Sequence, residues 1–207
     1  MVTTTFTASD FSSLNTAIED IDATGADAAT STAYTIKVTG TIDLAVLEAI
    51  NLDTGSSVTI EGMNSGGTSA QVQTINGQNL ERGFFVYSGS VTLENLTLTN
   101  MTAVGGAGAG GGAGLGGGLF VASGGSAALV GVQFSNDSAI GGNGGASGFR
   151  SGGGGGGMGG QGGNTASGPS GGGGGGGIGI VAAGGAGGGA NNGAAGIVLD
   201  TTAGGAG

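Results

Sequence analysis

Apolar and polar side chains alternate along short stretches of the first half of this chain. The alternation is clear between Tyr34 and Leu44, and it returns between Ser57 and Met63 and between Val91 and Thr99. A period of two residues predicts β-strands that bury one face. Gly, Asn, Asp and Ser separate these stretches, so we expect many short strands joined by turns.

The segment 83–106 recurs as the segment 118–142, at a spacing of 35 to 36 residues. A shorter third copy occupies Gly179–Gly185. The paired positions are mainly apolar, small or turn-forming: Phe85 with Phe120, Val86 with Val121, Leu93 with Leu129, Leu96 with Val132, Leu98 with Phe134, and Asn100 with Asn136. Self-similarity at this period predicts a solenoid, in which each repeat buries its apolar face against its neighbours. Only nine aromatic residues are present and none is Trp, which favours a parallel β-helix over a β-sandwich.

The first 25 residues predict a strand and a helix. Val2–Thr7 alternates apolar and hydroxyl side chains, and an amphipathic helix follows, with Asp10 or Ser12 as its N-cap and Gly25 as a left-handed C-cap. One face of the helix is apolar, with side chains spaced by three and four residues: Phe11, Leu14, Ile18 and Ile21. We predict that this helix caps the first rung of the solenoid, and a partner-binding amphipathic helix is the alternative.

The glycine content changes sharply near residue 105, because only nine of the 56 glycines precede that position. We predict a cap at residues 1–33, β-helix rungs at 34–104, and glycine-rich rungs with polyglycine inserts at 105–207. Runs of six and seven glycines lie at 152–157 and 171–177. Two interpretations of these inserts remain open: flexible loops, since glycine loses the most entropy on ordering, or packed segments of polyglycine II type that hydrogen-bond to one another.

Asn100 and Asn136 occupy equivalent places in successive repeats and are predicted to stack at a turn. Both also begin an Asn-X-Thr/Ser sequence, so a glycan acceptor is the functional alternative.

The charge of the chain excludes several classes of partner. The net charge is −10, and the only basic residues are Lys37, Arg82 and Arg150, so neither nucleic acid nor an anionic membrane surface is expected as a partner. The chain has no Cys and no His, which excludes disulfides and makes zinc, haem and non-haem iron sites improbable. We therefore predict no cofactor and no metal.

No motif in the chain carries recognisable catalytic chemistry. The match to a phosphate-binding G-x-G-x-x-G pattern at Gly106–Gly111 has no predictive value at this glycine density. Without His, a Ser or Thr nucleophile would depend on Lys37 or on scattered carboxylates as its base. The acids that could gather on one face are Asp43, Glu61, Glu81 and Glu94. We expect them to keep the surface soluble, and we predict no catalytic residue and no enzyme.

The order of phrases along the chain resembles the N-terminal part of bacterial autotransporter passenger domains. The phrases are RGFFVYSGSVTLENLTLTN, a glycine-rich insert, GAGLGGGLFVASGGSAALVGVQFSNDSAIGGNGG, a long polyglycine insert, and GGIGIVAAGG. The resemblance begins at the capping segment LNTAIEDI and covers most of the chain. It implies a right-handed parallel β-helix that is exported across the outer membrane and displayed on the bacterial cell surface, often in adhesion.

From this resemblance we expect a structural or adhesive segment whose partners are host cells, neighbouring cells or matrix, with self-association as a further option. Two alternatives stay open: a fragment of a carbohydrate-active β-helix enzyme, and a self-assembling or ice-interacting glycine-rich scaffold. Thr97 and Thr99 become Gln133 and Ser135 in the next repeat, which speaks against an ice-binding threonine array. Met1–Thr5 lacks signal-peptide features and the chain ends on GGAG, so we expect a fragment of a longer passenger.

Overall fold

The computed structural model describes residues 4–145, 154–163, 175–178 and 183–184. The chain divides into two compact units, each described by itself below. The first unit comprises Met1–Thr102 and Gly116–Ser138, and the second comprises Ala103–Leu115 and Ala139–Gly207. The second copy of the repeat, residues 118–142, thus belongs to the first unit as far as Ser138.

The described residues contain one helix and twelve strands. The helix is α1 (Phe11–Ile21). The strands are β1 (Thr5–Ala8), β2 (Ala33–Val38), β3 (Ile42–Asp43), β4 (Ile50–Asn51), β5 (Ser57–Gly62), β6 (Gln73–Asn76), β7 (Phe84–Glu94), β8 (Leu96–Thr99), β9 (Thr102–Val104), β10 (Leu119–Val130), β11 (Gln133–Ser135) and β12 (Ser138–Ile140).

The strands stack as a parallel β-solenoid of about four turns, as the repeat predicted. One sheet has the order β1-β2-β5-β7-β10, with β4 also paired to β7. A second sheet has the order β11-β8-β6-β3, and β12 pairs with β9 in a third. Each pairing whose register is described is parallel, because the chain returns to the same sheet one turn later.

The register confirms that the sequence echo is a stack of rungs. Phe120 lies beside Phe85 and Leu129 beside Leu93 on β10 and β7, and Phe134 lies beside Leu98 on β11 and β8. The rings of Phe85 and Phe120 are 5.0 Å apart between centroids. Repeated residue types therefore occupy the same position on successive turns.

Two corners of the rungs formed by β7–β8 and β10–β11 contain residues with a left-handed backbone. Asn95 (φ 52°) ends β7, and Gly131 (φ 62°) takes the equivalent place after β10. Asn100 (φ 54°) and Asn136 (φ 58°) form the next corner of the same two rungs. Asn and Gly tolerate this conformation best, which explains why the corners are conserved in type between the repeats.

The core is formed by columns of inward-facing side chains. One column runs along the main sheet through Ile36, Ile60 and Leu93, which are fully buried and in register. It ends at Leu129 on the last rung, which is 45% exposed. Phe134 on β11 pairs with the buried Leu98 on β8 and is likewise partly exposed, by 46%. β10 and β11 are the edge strands of their sheets.

Helix α1 begins as the sequence predicted but ends differently. Asp10 is its N-cap, and its carboxylate accepts a hydrogen bond from the Ser13 amide at 2.8 Å in a capping box. The prediction that Gly25 is a left-handed C-cap was wrong, because the helix ends at Ile21 and the C-cap is the extended residue Asp22. Gly25 is needed for space instead, since a Cβ there would lie 2.1 Å from the Glu19 carbonyl oxygen.

The described glycine segments of the second unit are joined by backbone hydrogen bonds, as the packed interpretation predicted. Gly106 donates to Gly157, Gly156 to Gly110, and Gly176 to Gly155, at 2.8–2.9 Å. A Cβ on Gly106 would lie 1.8 Å from the Gly160 carbonyl oxygen, and one on Gly112 would lie 2.0 Å from that of Gly157. Neither Gly106 nor Gly112 has a positive φ, so both are required for close backbone approach and not for a turn.

Two predictions lie largely outside the described residues. The third copy at Gly179–Gly185 is described only at Ala183 and Gly184, and the seven-glycine run only at residues 175–177.

Candidate functional site

The outward face of the main sheet carries a column of threonines. Thr5, Thr35, Thr59 and Thr92 lie side by side on β1, β2, β5 and β7, and Ala128 takes this place on β10. All four side chains are at least partly exposed. Their spacing is set by the strand separation of about 4.8 Å, so hydroxyl and methyl groups recur along the solenoid at that interval.

A charged column runs beside the threonines on the same face. Thr7, Lys37, Glu61 and Glu94 are in register on the same four strands, followed by Val130 on β10. The Lys37 ammonium group donates to the Gly67 carbonyl at 3.1 Å. On the main sheet, a Thr-X-Thr pair therefore occurs only on β1, and the charged column interrupts the regular array that ice binding would need.

A hydroxyl-lined groove of about 520 Å³ crosses three rungs of the first unit. Its hydroxyl groups come from Thr54, Ser56, Ser57, Ser88, Ser90 and Ser126. Ser57, Ser90 and Ser126 are in register, and the last two hydroxyls lie 3.0 Å apart. Gly89, Gly124 and Gly125 also line the groove, and Asp53 is the one charged residue among the described residues that line it. The groove offers hydrogen-bond donors and acceptors to an uncharged polar ligand.

The predicted stack of asparagines is confirmed at the corner after β8 and β11. The Asn136 side-chain amide donates to Asn100 at 3.4 Å, and that of Asn100 donates to Asn76 at 3.0 Å. Asn76 in turn donates to the Asp43 carboxylate at 2.7 Å. The Asn100 amide nitrogen, which a glycan would modify, is engaged in this ladder. The structural interpretation of these asparagines is the one the geometry supports.

Backbone amides of the glycine pattern at Gly106–Gly111 are used in hydrogen bonds within the second unit. The Gly106 amide donates to the Gly157 carbonyl, and the Gly108 amide donates to Asn143. These groups are used in packing the second unit.

The four acids that could have formed a site do not gather in one place. Glu61 and Glu94 lie side by side on the main sheet, whereas Asp43 is on the second sheet and belongs to the asparagine ladder. Glu81 lies between β6 and β7, where burial raises its pKa. Among the described residues, no group of three His, Cys, Asp or Glu could hold a metal ion.

A different acidic cluster, which the sequence reasoning missed, lies where α1 ends. Asp22 is fully buried, and burial raises its pKa to about 7, with Glu48 and Glu19 adding to the rise and a hydrogen bond from the Asn51 amide opposing it. Burial, followed by the charge of Glu19, also raises the pKa of Glu48 to about 7. Only weak features of the sequence could have predicted this cluster: an Asp just after a predicted helix, and a Glu between the apolar residues Leu47 and Ala49.

None of the helices in the described part of the chain is long and apolar enough to cross a membrane. No family model matches the chain, and neither the curated proteins nor the solved structures that were compared give a significant match. The resemblance to autotransporter passengers accordingly rests on the order of phrases in the sequence.

Proposed function

We propose that this chain is a non-catalytic, adhesive or structural segment of an autotransporter-type passenger displayed on the bacterial cell surface. The observation that carries the proposal is the column of hydroxyl side chains on the main sheet, Thr5 to Thr92, repeated on successive rungs above an apolar core. Such a face binds through many weak, regularly spaced contacts and not through one deep pocket. A host-cell, neighbouring-cell or matrix surface is the matching partner.

The distribution of acids favours binding over catalysis. General acid and base groups must reach the substrate within hydrogen-bond distance. Glu61 and Glu94 are neighbours on an open face, and the carboxylate of Asp22 is fully buried, out of reach of any substrate. The alternative of a carbohydrate-active enzyme therefore has no specific observation in its favour.

A binding assay with the purified chain tests the proposal. The chain is incubated with host cells, with matrix proteins and glycans on an array, and with cells that display the same chain. We expect saturable binding to at least one of these surfaces. The variant Thr35→Ala/Thr59→Ala/Thr92→Ala should reduce it by roughly tenfold or more, because each lost hydrogen bond is worth about 1 kcal/mol. Thr74→Ala/Thr97→Ala/Thr99→Ala, on β6 and β8 of the second sheet, is the matched control. Absence of binding to every surface would leave only a spacer role.

A second candidate is a self-assembling or ice-interacting glycine-rich scaffold. The observation in its favour is the network of backbone hydrogen bonds that joins the described glycine segments. It predicts concentration-dependent association in sedimentation velocity, or thermal hysteresis in a freezing assay. A chain that stays monomeric and leaves ice growth unchanged would remove this candidate.

A further inference from the structure

Three acidic side chains surround the junction between the cap helix and the solenoid. Asp22 follows the last residue of α1, Glu19 lies in the last turn of that helix, and Glu48 lies in the segment between β3 and β4. Asp22 is fully buried, although ionised Asp is almost never buried without a cationic partner. This arrangement requires an explanation.

Hydrogen bonds join the two sides of the junction. The Asn51 amide donates to the Asp22 carboxylate at 2.8 Å, and the Ala23 amide donates to the Asn51 carbonyl at 2.8 Å. The Glu48 amide donates to the Asn15 side-chain oxygen at 2.9 Å, and Asn15 donates to the Glu19 carboxylate at 2.6 Å. The cap is thus attached to the segment 48–51 through polar groups that include all three acids.

One oxygen of Asp22 and one of Glu48 are left without a hydrogen-bond partner. Asp22 Oδ2 and Glu48 Oε2 are both buried. A buried ionised carboxylate that lacks partners for its oxygens is costly, whereas a protonated carboxyl carries no charge and can itself donate. The protonated form therefore fits this junction better than the ionised form.

The charged groups that act on the pair are all negative. Glu48 and Glu19 act on Asp22, and Glu19 acts on Glu48. The facing side chains of Asn15 and Asn51 are neutral, and the last turn of α1 contains no basic residue. The carbonyl end of α1 adds partial negative charge at the same point. Each of these contributions favours a bound proton.

We propose that Asp22 and Glu48 form a proton-dependent latch, which holds the N-terminal cap closed while the pair is protonated and loosens it when both carboxyls ionise. The folded chain then binds protons more tightly than the unfolded chain, in which ordinary pKa values of 3.8 and 4.5 apply. The stabilisation is complete below about pH 4 and is lost as the pH rises towards 7. Acid strengthens this cap, in contrast to the more usual effect of acid on salt-bridged carboxylates.

Amide hydrogen exchange of the full chain tests the latch. The Ala23 amide is the reporter, because its hydrogen bond to Asn51 spans the junction. After correction for intrinsic exchange, we expect the opening equilibrium of Ala23 to increase at least about tenfold from pH 5 to pH 8, since one pKa unit corresponds to a factor of ten. Ile60, in the interior of the main sheet, should show no such change.

Variants separate the latch from a general effect of pH. Asp22→Asn and Glu48→Gln imitate the protonated forms, so each should reduce the pH dependence of Ala23 and slow its exchange at pH 8. Asp53→Asn, a nearby acid outside the cluster, should leave it unchanged. Equal opening of wild-type Ala23 at pH 5 and pH 8, or an unchanged slope in Asp22→Asn, would refute the latch.

Two further measurements cover the other outcomes. If a variant fails to fold, the ¹³C resonance of the wild-type Asp22 carboxyl gives the result directly: a titration midpoint near 7 supports the latch and one near 4 overturns it. If calcium chloride slows Ala23 exchange in the wild type as strongly at pH 5 as at pH 8, the carboxyls are already ionised at pH 5, and the proposal is wrong.

Discussion

The glycine segments of the second unit provide a prediction in which two similar substitutions have opposite effects. A Cβ at Gly156 would lie 1.8 Å from the Gly106 carbonyl oxygen, whereas a Cβ at Gly110 would have no atom within 4 Å. Neither residue has a positive φ. The two sites therefore differ in the space around them and not in the backbone conformation that they require.

The expected magnitudes follow from this geometry. In Gly156→Ala, the Gly106 carbonyl must move from 1.8 Å to at least 3.0 Å. Overpacking of this kind costs about 1–3 kcal/mol, and weakening the bond from the Gly156 amide to Gly110 adds about 1 kcal/mol. We expect a local destabilisation of about 3 kcal/mol. In Gly110→Ala, restriction of the unfolded chain should instead stabilise by about 0.4–1 kcal/mol.

Hydrogen exchange of the Ala109 amide measures the effect, because this amide donates to the Gly154 carbonyl within the second unit. A loss of about 3 kcal/mol corresponds to roughly a hundredfold faster exchange, since 1.4 kcal/mol is a factor of ten. Gly156→Ala should show this loss of protection, and Gly110→Ala should show equal or greater protection than the wild type. Equal exchange in the two variants would mean that the glycines do not pack closely in solution, and the reasoning would fail.

Two further predictions concern the rungs of the first unit. Leu93→Ala should destabilise the chain by about 2–5 kcal/mol in urea unfolding followed by circular dichroism, because Leu93 is fully buried. Leu129→Ala, at the same register on the last rung, should cost less than about 1 kcal/mol because Leu129 is 45% exposed. Equal losses in the two variants would contradict the order of the rungs. Asn100→Gly should lose the hydrogen bonds to Asn76 and Asn136 but keep the positive φ. Asn100→Ala loses the same bonds and is also strained at a positive φ, so its free energy of unfolding in the same assay should be about 1 kcal/mol lower than that of Asn100→Gly. If the Ala variant proved as stable as the Gly variant, the left-handed corner would be disproved.

The rungs could be predicted from sequence because their information is local and repeated. Leu93 and Leu129 face inward in the same register, and a one-residue slip would turn every side chain of the strand to the wrong face. The corner asparagines were predictable for a similar reason. Asn100 and Asn136 recur at fixed positions, and few residues tolerate their backbone conformation.

The errors and omissions have physical causes as well. Gly25 was predicted to be a left-handed cap from its place after a helix, but the same residue type also serves where backbone comes too close for a side chain. Polyglycine has no side-chain pattern, so its sequence cannot distinguish packed from flexible segments. Gly106 and Gly156 contact Gly157 and Gly110 through backbone hydrogen bonds, to which no side chain contributes.

The acidic junction was missed because its members are distant in sequence. Asp22 and Glu48 meet only when the solenoid places the segment between β3 and β4 beside the end of α1. Burial, which determines their protonation, is a property of that tertiary arrangement and leaves no motif in the chain. The candidate binding face was partly visible, since the threonines alternate with apolar residues, but their alignment into one column required the register.

The most direct test of the stacked-rung architecture is a methyl NOESY spectrum of the chain with labelled Ile and Leu side chains. The register predicts cross-peaks from Ile36 to Ile60, from Ile60 to Leu93, and from Leu93 to Leu129. Observation of all three would establish the parallel stack on which the repeated outward face depends. Absence of the Leu93–Leu129 peak, or an antiparallel pattern of contacts between β7 and β10, would contradict it.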